Sequence, residues 1–278
     1  LVSGMLGGSR ILCFSGRIHP YEDSPYDQVC FQVLLSAMLC IPLYIITNTT
    51  GGMLDGMCDG SFMQIVDHVR VTIREDPMHH ILPGVSREIV SYWDENLSEL
   101  VASIAIEKNI KLFKGVYVWT SGPSYETPME VEMMRKIGGG ACGMSTVPEV
   151  LLAKQLGLPV VGLSIAANMA AGLSTTKLSH EDIESTARES MSQFTQLVSE
   201  LVTRAKPIVQ LQENPHYPHI LESARNHIHN NYDLSKYMTH TYIATVANRL
   251  RDILVAKQFD SCIIAQSLEE ELNLQPYA

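Results

Sequence analysis

Positive charge is the scarce commodity in this sequence: 20 lysines and arginines stand against 30 aspartates and glutamates, for a net charge of −10. A surface of that sign excludes a nucleic-acid backbone as the main partner, although a local cationic pocket for a small anion remains compatible with it. Six cysteines at 13, 30, 40, 58, 142 and 262 form no CxxC pair and no Cys/His metal spacing. They read as reduced, mostly buried thiols of a cytoplasmic protein, and no metal site is expected. No Gly-x-Ser-x-Gly elbow is present, which disfavours an acyl hydrolase. The glycine cluster "GGGACG" (138–143) lacks the lysine of a phosphate-binding P-loop and reads as a helix end with a tight loop. The most apolar run, "FQVLLSAMLCIPLYIIT" (31–47), is short for a membrane span and contains Pro42. It reads as a buried helix ending before Pro42 and a buried strand after it. There is no internal repeat and no low-complexity tract.

What is there begins with "GRIHPYED" (16–23), behind the β-prone "RILCFS" (10–15). If the strand continues, Arg17, His19 and Tyr21 occupy alternate positions and share a face. Two cationic donors beside an aromatic ring suit an anion next to a flat or sugar-like group. The competing reading is a solvated strand end.

Three further apolar runs, "PLYIITNTTGG" (42–52), "GVYVWTSGPSYE" (115–126) and "PVVGLSIAAN" (159–168), each start hydrophobic and end in small polar residues. Helical patterns separate them over 97–109, over 128–137 behind a Thr127-Pro128-Met129-Glu130 start, and from Thr146-Val147-Pro148-Glu149 onward. A last helix is expected from Ser179 to about 202, with Ile183, Ala187, Met191, Phe194, Val198 and Leu201 on one stripe. The pattern predicts an α/β fold with a mixed, largely parallel central sheet flanked by helices, in three layers. Ligands of such sheets sit outside the strands' carboxyl ends, where Asn48, Thr49, Ser121, Glu126 and Asn168 fall. After 204 the character changes: "KPIVQLQENPHYPH" (206–219) reads as a linker, and a weakly helical tail follows. The expected organisation is a domain over 1–204 and a linker with helical extension over 205–278. His227 and His229 in that tail read as an exposed helix face rather than ligands.

Several polar residues stand where they can do chemistry. Ser145, next to a helix start, is placed to bind an oxyanion, and Thr49-Thr50-Gly51-Gly52 can present backbone N–H groups to one. Structural capping and a plain turn explain the same residues equally. Tyr125 with Glu126 offers a stacking ring beside an acceptor for N–H groups, and Asn168 adds an amide that both donates and accepts.

In order along the chain, "GRIHPYE", "TNTTGG", "GPSYET", "GMSTVPEV" and "SHED" closely resemble the trimeric class of purine nucleoside phosphorylases, over residues 1–204. The resemblance implies reversible phosphorolysis of purine nucleosides to free base and ribose 1-phosphate in purine salvage, by a pentosyltransferase acting as a homotrimer. It implies phosphate held by Arg17, His19, the Thr49 backbone N–H and Ser145. It implies ribose lined by Tyr21, Met144 and His180, and purine held by Tyr125, Glu126 and Asn168. His19, Glu126 and Asn168 would be catalytic. No metal or organic cofactor is implied, inorganic phosphate being a co-substrate, and no nucleic-acid or membrane partner. Asn168 points to 6-oxopurines, where the methylthioadenosine phosphorylases of the family carry aspartates. The family's Gly-Ser-Gly phosphate loop and one phosphate-binding histidine lie ahead of the "LVSG" strand, so an N-terminally incomplete member is expected. Two alternatives stay open: a methylthioadenosine phosphorylase, and a catalytically impaired relative that serves as a protein-binding module.

Overall fold

The computed structural model describes residues 1–38, 41–72, 74, 91–173 and 180–205, with backbone alone at 38 and 180–189. The linker, the helical tail, His227 and His229 lie outside these residues. Every described residue falls in the first of the chain's two units, Leu1–Leu221.

Strands β1 (Val2–Leu6) and β2 (Ser9–Cys13) pair as a separate antiparallel hairpin. Its turn is Gly7-Gly8, both at positive φ, a conformation that glycine adopts without a Cβ penalty. The alternating Arg17/His19/Tyr21 face is not a strand: β2 stops at Cys13, and Pro20–Glu22 form a single 3₁₀ turn. Pro20 sets this turn, since its fixed φ suits a first helical position and its missing N–H ends any ladder. Two short helices follow, α1 (Tyr26–Val29) and α2 (Phe31–Met38).

The central sheet comprises β3 (Tyr44–Gly52), β4 (Phe62–Val71), β5 (Leu112–Thr120), β6 (Gly139–Gly143) and β7 (Val160–Met169). It is mixed and largely parallel, as the pattern predicts. β3 with β7, β4 with β5 and β5 with β6 run parallel, whereas β3 with β6 and β4 with β7 run antiparallel. The five strands close on themselves in the order β3-β6-β5-β4-β7, so none of them presents an open edge. Around them stand α3 (Glu95–Glu107), α4 (Pro128–Lys136), α5 (Val147–Gln155) and α6 (His180–Ala205).

Local chemistry accounts for the element starts. Asp94 caps α3 by accepting from the Leu97 N–H at 2.9 Å. Thr127 and Glu130 exchange side-chain and backbone bonds at the start of α4, where Pro128 fills the first helical position. Helix α3 then buries Leu97, Val101 and Ile104 against Val161 and Leu163 of β7 and against Leu197 and Leu201 of α6. The stripe of α6 is therefore centred on Leu197, Leu201 and Ala205, with Phe194 and Val198 beside it, while Met191 is 54% exposed and lies off it.

Two sequence expectations change here. "GGGACG" is a helix end only at Gly138, which turns at φ +95° behind α4; Gly139–Gly143 are not a loop but strand β6. The glycines are required because a Cβ at Gly139 would lie 2.5 Å from Val118 Cγ2, and one at Gly140 would lie 3.1 Å from the Gly115 Cα. Close approach, rather than a turn, is the reason for Gly139 and Gly140. Of the two readings open for Thr49-Thr50-Gly51-Gly52, the plain turn falls: the glycines end β3 and pair with Asn168 and Met169 of β7, past a register shift between Thr50 and Gly51.

Candidate functional site

The direction of the strands sets the site. β3 and β7 run one way, and β5 and β6 run against them. β3 and β6 overlap only at their last residues, where Gly51 pairs with Cys142 and Gly52 with Ala141. The carboxyl ends of strands from both directions thus meet. Gly51 has Cys142 of β6 on one side and Asn168 of β7 on the other. A Cβ at Gly51 would sit 3.2 Å from the Cys142 sulfur and from Ala170 Cβ, so the crossing needs a small residue.

Arg17 reaches this junction from the irregular segment after β2. Its Nη1 donates to Glu149 Oε2 at 2.9 Å and to Thr146 Oγ1 at 3.4 Å, and its Nη2 donates to the Thr47 carbonyl. A guanidinium carries five N–H groups, so Nε–H and one Nη2–H find no acceptor among the described residues and are left for another group. Glu149 is fully buried and also accepts from the Thr146 N–H at 3.1 Å. Burial pushes its carboxyl upward, and Arg17 and the Thr146 N–H oppose this.

Thr146 binds the parts of this cluster together. It takes φ +76°, unusual for a β-branched residue, at the start of α5. Its hydroxyl meets Asn48 Nδ2 at 2.7 Å and Ser145 Oγ at 3.1 Å. The buried Tyr117 hydroxyl donates to the Ser145 carbonyl at 3.2 Å and lies 3.3 Å from the Ser145 N–H. Ser145 is consequently fixed beside Arg17, with Thr146 as the link.

His19 and Tyr21 do lie together, though in a 3₁₀ turn, their rings stacked at 4.9 Å. Glu22 Oε1 accepts from the His19 N–H at 2.8 Å and lies 3.1 Å from His19 Nδ1. These bonds hold the Glu22 carboxyl below the usual range. An ionised acceptor at Nδ1 places the ring proton there and leaves Nε2 as the free position. Tyr21 also adjoins Met144 around Gly122: a Cβ on Gly122 would lie 2.7 Å from Tyr21 Cδ1 and 2.5 Å from Met144 Sδ.

Glu126 follows β5 and is half-buried. Its Oε1 accepts from the Thr120 hydroxyl at 2.6 Å, and its Oε2 lies 3.7 Å from the Cys142 sulfur. Asn168 is exposed in β7, its amide donating to the Met169 carbonyl at 2.8 Å. Tyr125 stands 84% exposed. Thr49 is an exposed residue within β3, paired with Ile165. His180 opens α6, and its side chain lies outside the description.

The structure therefore joins Arg17 to Ser145, His19 to Tyr21 and Tyr21 to Met144. It places Glu126 and Asn168 on either side of the Gly51–Cys142 crossing. Sequence reading placed Asn48 at a ligand-bearing strand end but missed the other partners: Glu22 under His19, Thr120 and Cys142 on Glu126, Tyr117 at the Ser145 loop, and Glu149 on Arg17. Glu149 had a visible signal, the Thr-x-x-Glu start, but that signal speaks only of a cap. Its pairing with a residue 132 positions away carries no local mark.

No three described His, Cys, Asp or Glu residues gather as a metal site. No described helix is long and apolar enough to cross a membrane. Cys13, Cys30, Cys58 and Cys142 are all free thiols.

Residues 1–203 match the phosphorylase superfamily. Purine nucleoside phosphorylase 1 of Geobacillus stearothermophilus is 36% identical over 208 residues, spanning 73% of this chain and 75% of its own. The protein of the same name from Bacillus subtilis is also 36% identical, over 73% and 76%. Among solved structures, schistosoma purine nucleoside phosphorylase in complex with hypoxanthine superposes with a TM-score of 0.62 at 26% identity, covering 73% of this chain and 76% of that one. The Schistosoma mansoni enzyme in complex with inosine aligns with the same score and identity, over 73% and 75%.

Proposed function

We infer that this chain, which belongs to the phosphorylase superfamily and within it to the purine nucleoside phosphorylases, cleaves purine nucleosides with inorganic phosphate. The products are the free base and ribose 1-phosphate, a pentosyl transfer that serves purine salvage, and 6-oxopurine nucleosides are the substrates. The observation that carries this reading is the convergence around one strand junction of an arginine with two N–H groups uncommitted among the described residues, a helix-start serine, a carboxylate and an amide.

In this reading Arg17, His19, the Thr49 backbone N–H and Ser145 hold phosphate. Tyr21, Met144 and His180 line the ribose, and Tyr125, Glu126 and Asn168 hold the base. A phosphate oxygen forms the new bond to the anomeric carbon as the bond from that carbon to the base nitrogen breaks. The bonding pair leaves with the purine. Positive charge that builds on the sugar meets the phosphate anion, and negative charge that builds on the base meets the N–H donors of the Asn168 amide, while the Glu126 carboxylate accepts from an N–H of the base and holds it in place. Polar groups set in advance where charge develops are commonly the largest catalytic term, each worth about 3–4 kcal/mol. His19, its Nδ1 proton held by Glu22, offers Nε2 to a phosphate oxygen as acceptor when neutral and as donor when protonated. The reaction calls for phosphate as co-substrate and for no metal or organic cofactor. We assign it to residues 1–204 of a cytoplasmic homotrimer.

Phosphorus NMR of the 278-residue chain with inosine and phosphate tests this. Consumption of phosphate with appearance of ribose 1-phosphate, one for each hypoxanthine released, is the expected result. Hypoxanthine release with phosphate unconsumed would make the protein a hydrolase instead.

A further inference from the structure

Two donors that no sequence motif singles out converge on Glu126. Thr120, the last residue of β5, is 7% exposed, and its hydroxyl lies 2.6 Å from Oε1. That distance is typical of a hydroxyl donating to an ionised carboxylate. Cys142, in β6, is 2% exposed, and its thiol lies 3.7 Å from Oε2. Each donor also has a backbone alternative: the Gly143 carbonyl at 3.3 Å for Thr120, and the Gly51 carbonyl at 3.7 Å for Cys142. Neither donor therefore needs Glu126 in order to be satisfied, so the contact is not forced by the burial of the donors. What it fixes is the carboxylate, which stands on a loop whereas both donors stand on paired strands.

We propose that Thr120 and Cys142 are positioning residues that clamp the Glu126 carboxylate, one donor on each oxygen, in the orientation that receives the purine edge. This rests on the reading of Glu126 as the base-binding carboxylate. An oxygen of an ionised carboxylate accepts about two hydrogen bonds. With one taken by the clamp, each oxygen keeps one acceptor position for an N–H group of the base. Burial, and then the adjoining Glu126, push the Cys142 thiol up to about 12, so it remains a protonated donor at neutral pH. A thiol is a weak donor, and Thr120 carries the larger share.

The test combines calorimetric binding of hypoxanthine with kcat/KM for inosine in wild type, Thr120→Val, Thr120→Ser, Cys142→Ala, Glu126→Ala and the double variant Thr120→Val/Glu126→Ala. Thr120→Val is expected to lower both affinity and kcat/KM by about tenfold or more, the effect of one hydrogen bond to a charged group. Thr120→Ser should restore most of the loss, and Cys142→Ala should cost about two- to threefold, in keeping with the weaker thiol donor. In the Glu126→Ala background Thr120→Val should cost nothing further, because its route is through the missing carboxylate. Should the valine variant not fold, Thr120→Ala gives the same reading. A Thr120→Val protein equal to wild type, or one whose loss persists undiminished without Glu126, overturns the clamp while leaving the phosphorylase intact. A folded wild type that neither binds hypoxanthine nor cleaves inosine overturns the base-site reading and the clamp with it.

Discussion

Arg17 and Glu149 form an ion pair of 2.9 Å between side chains 17% and 2% exposed, tying the segment after β2 to the start of α5. The carboxylate simultaneously closes the helix start by accepting from the Thr146 N–H. Removing one partner of a buried pair strands the other charge, at a cost of about 3–5 kcal/mol. Glu149→Ala should therefore lower unfolding free energy by about 3 kcal/mol in denaturant titrations. It should also weaken phosphate-dependent steps, since Arg17 loses the acceptor that orients it.

Gly122 separates stability from function more cleanly. It sits at φ +59°, between the Tyr21 ring and the Met144 thioether, and a methyl group there would strike both. In Gly122→Ala the two flexible side chains must move, and the backbone takes on modest strain of about 1 kcal/mol. A fall in kcat/KM of about tenfold or more, well beyond what the stability change accounts for, is expected in paired kinetic and unfolding measurements, because misplacement by about 1 Å can cost 100-fold.

His68 supplies a pH signature outside the site. It lies in β4, edge-on to the rings of Tyr92 and Trp93, and its Nδ1 is buried with no hydrogen-bond partner among the described residues. Burial holds the imidazole down at about 4 against an ordinary 6.5; neighbouring Asp67 pulls upward and Arg70 downward. The folded protein thus resists a proton that the unfolded chain accepts. The unfolded state binds more protons between these two values, so stability falls as pH drops from 6.5 towards 4. The stability lost across that window is at most about 3 kcal/mol. Unfolding free energy measured across that window should show this slope in wild type and a flatter one in His68→Gln.

The strong periodic elements were legible in the sequence because their signals are local. Capped starts at Thr127 and Thr146, the apolar run before Pro42 and the buried strands of β3, β5 and β7 all appear where the pattern puts them. At the glycines the errors share one physical cause, which is that tertiary approach overrode local propensity. Gly139 and Gly140 look like part of a loop until Val118, Met63 and Gly115 occupy the space where their side chains would be, whereas Gly138 keeps the expected helix-end turn at φ +95°. Thr49 to Gly52 look like a turn until β7 pairs with them. Arg17, His19 and Tyr21 do not share a strand face, since a proline-led turn and not a strand brings His19 onto Tyr21. The site partners Thr120, Cys142 and Glu149 carry no motif of their own, because their meaning depends on residues brought near only by folding.

The most direct test of the account is the initial rate of hypoxanthine release from inosine by the 278-residue protein, with and without phosphate, in wild type and in Glu126→Ala. Release that requires phosphate and falls by about 100-fold or more in the variant, the scale of one lost transition-state contact, is the predicted result. Release that is indifferent to phosphate, or undiminished without the Glu126 carboxylate, would contradict it.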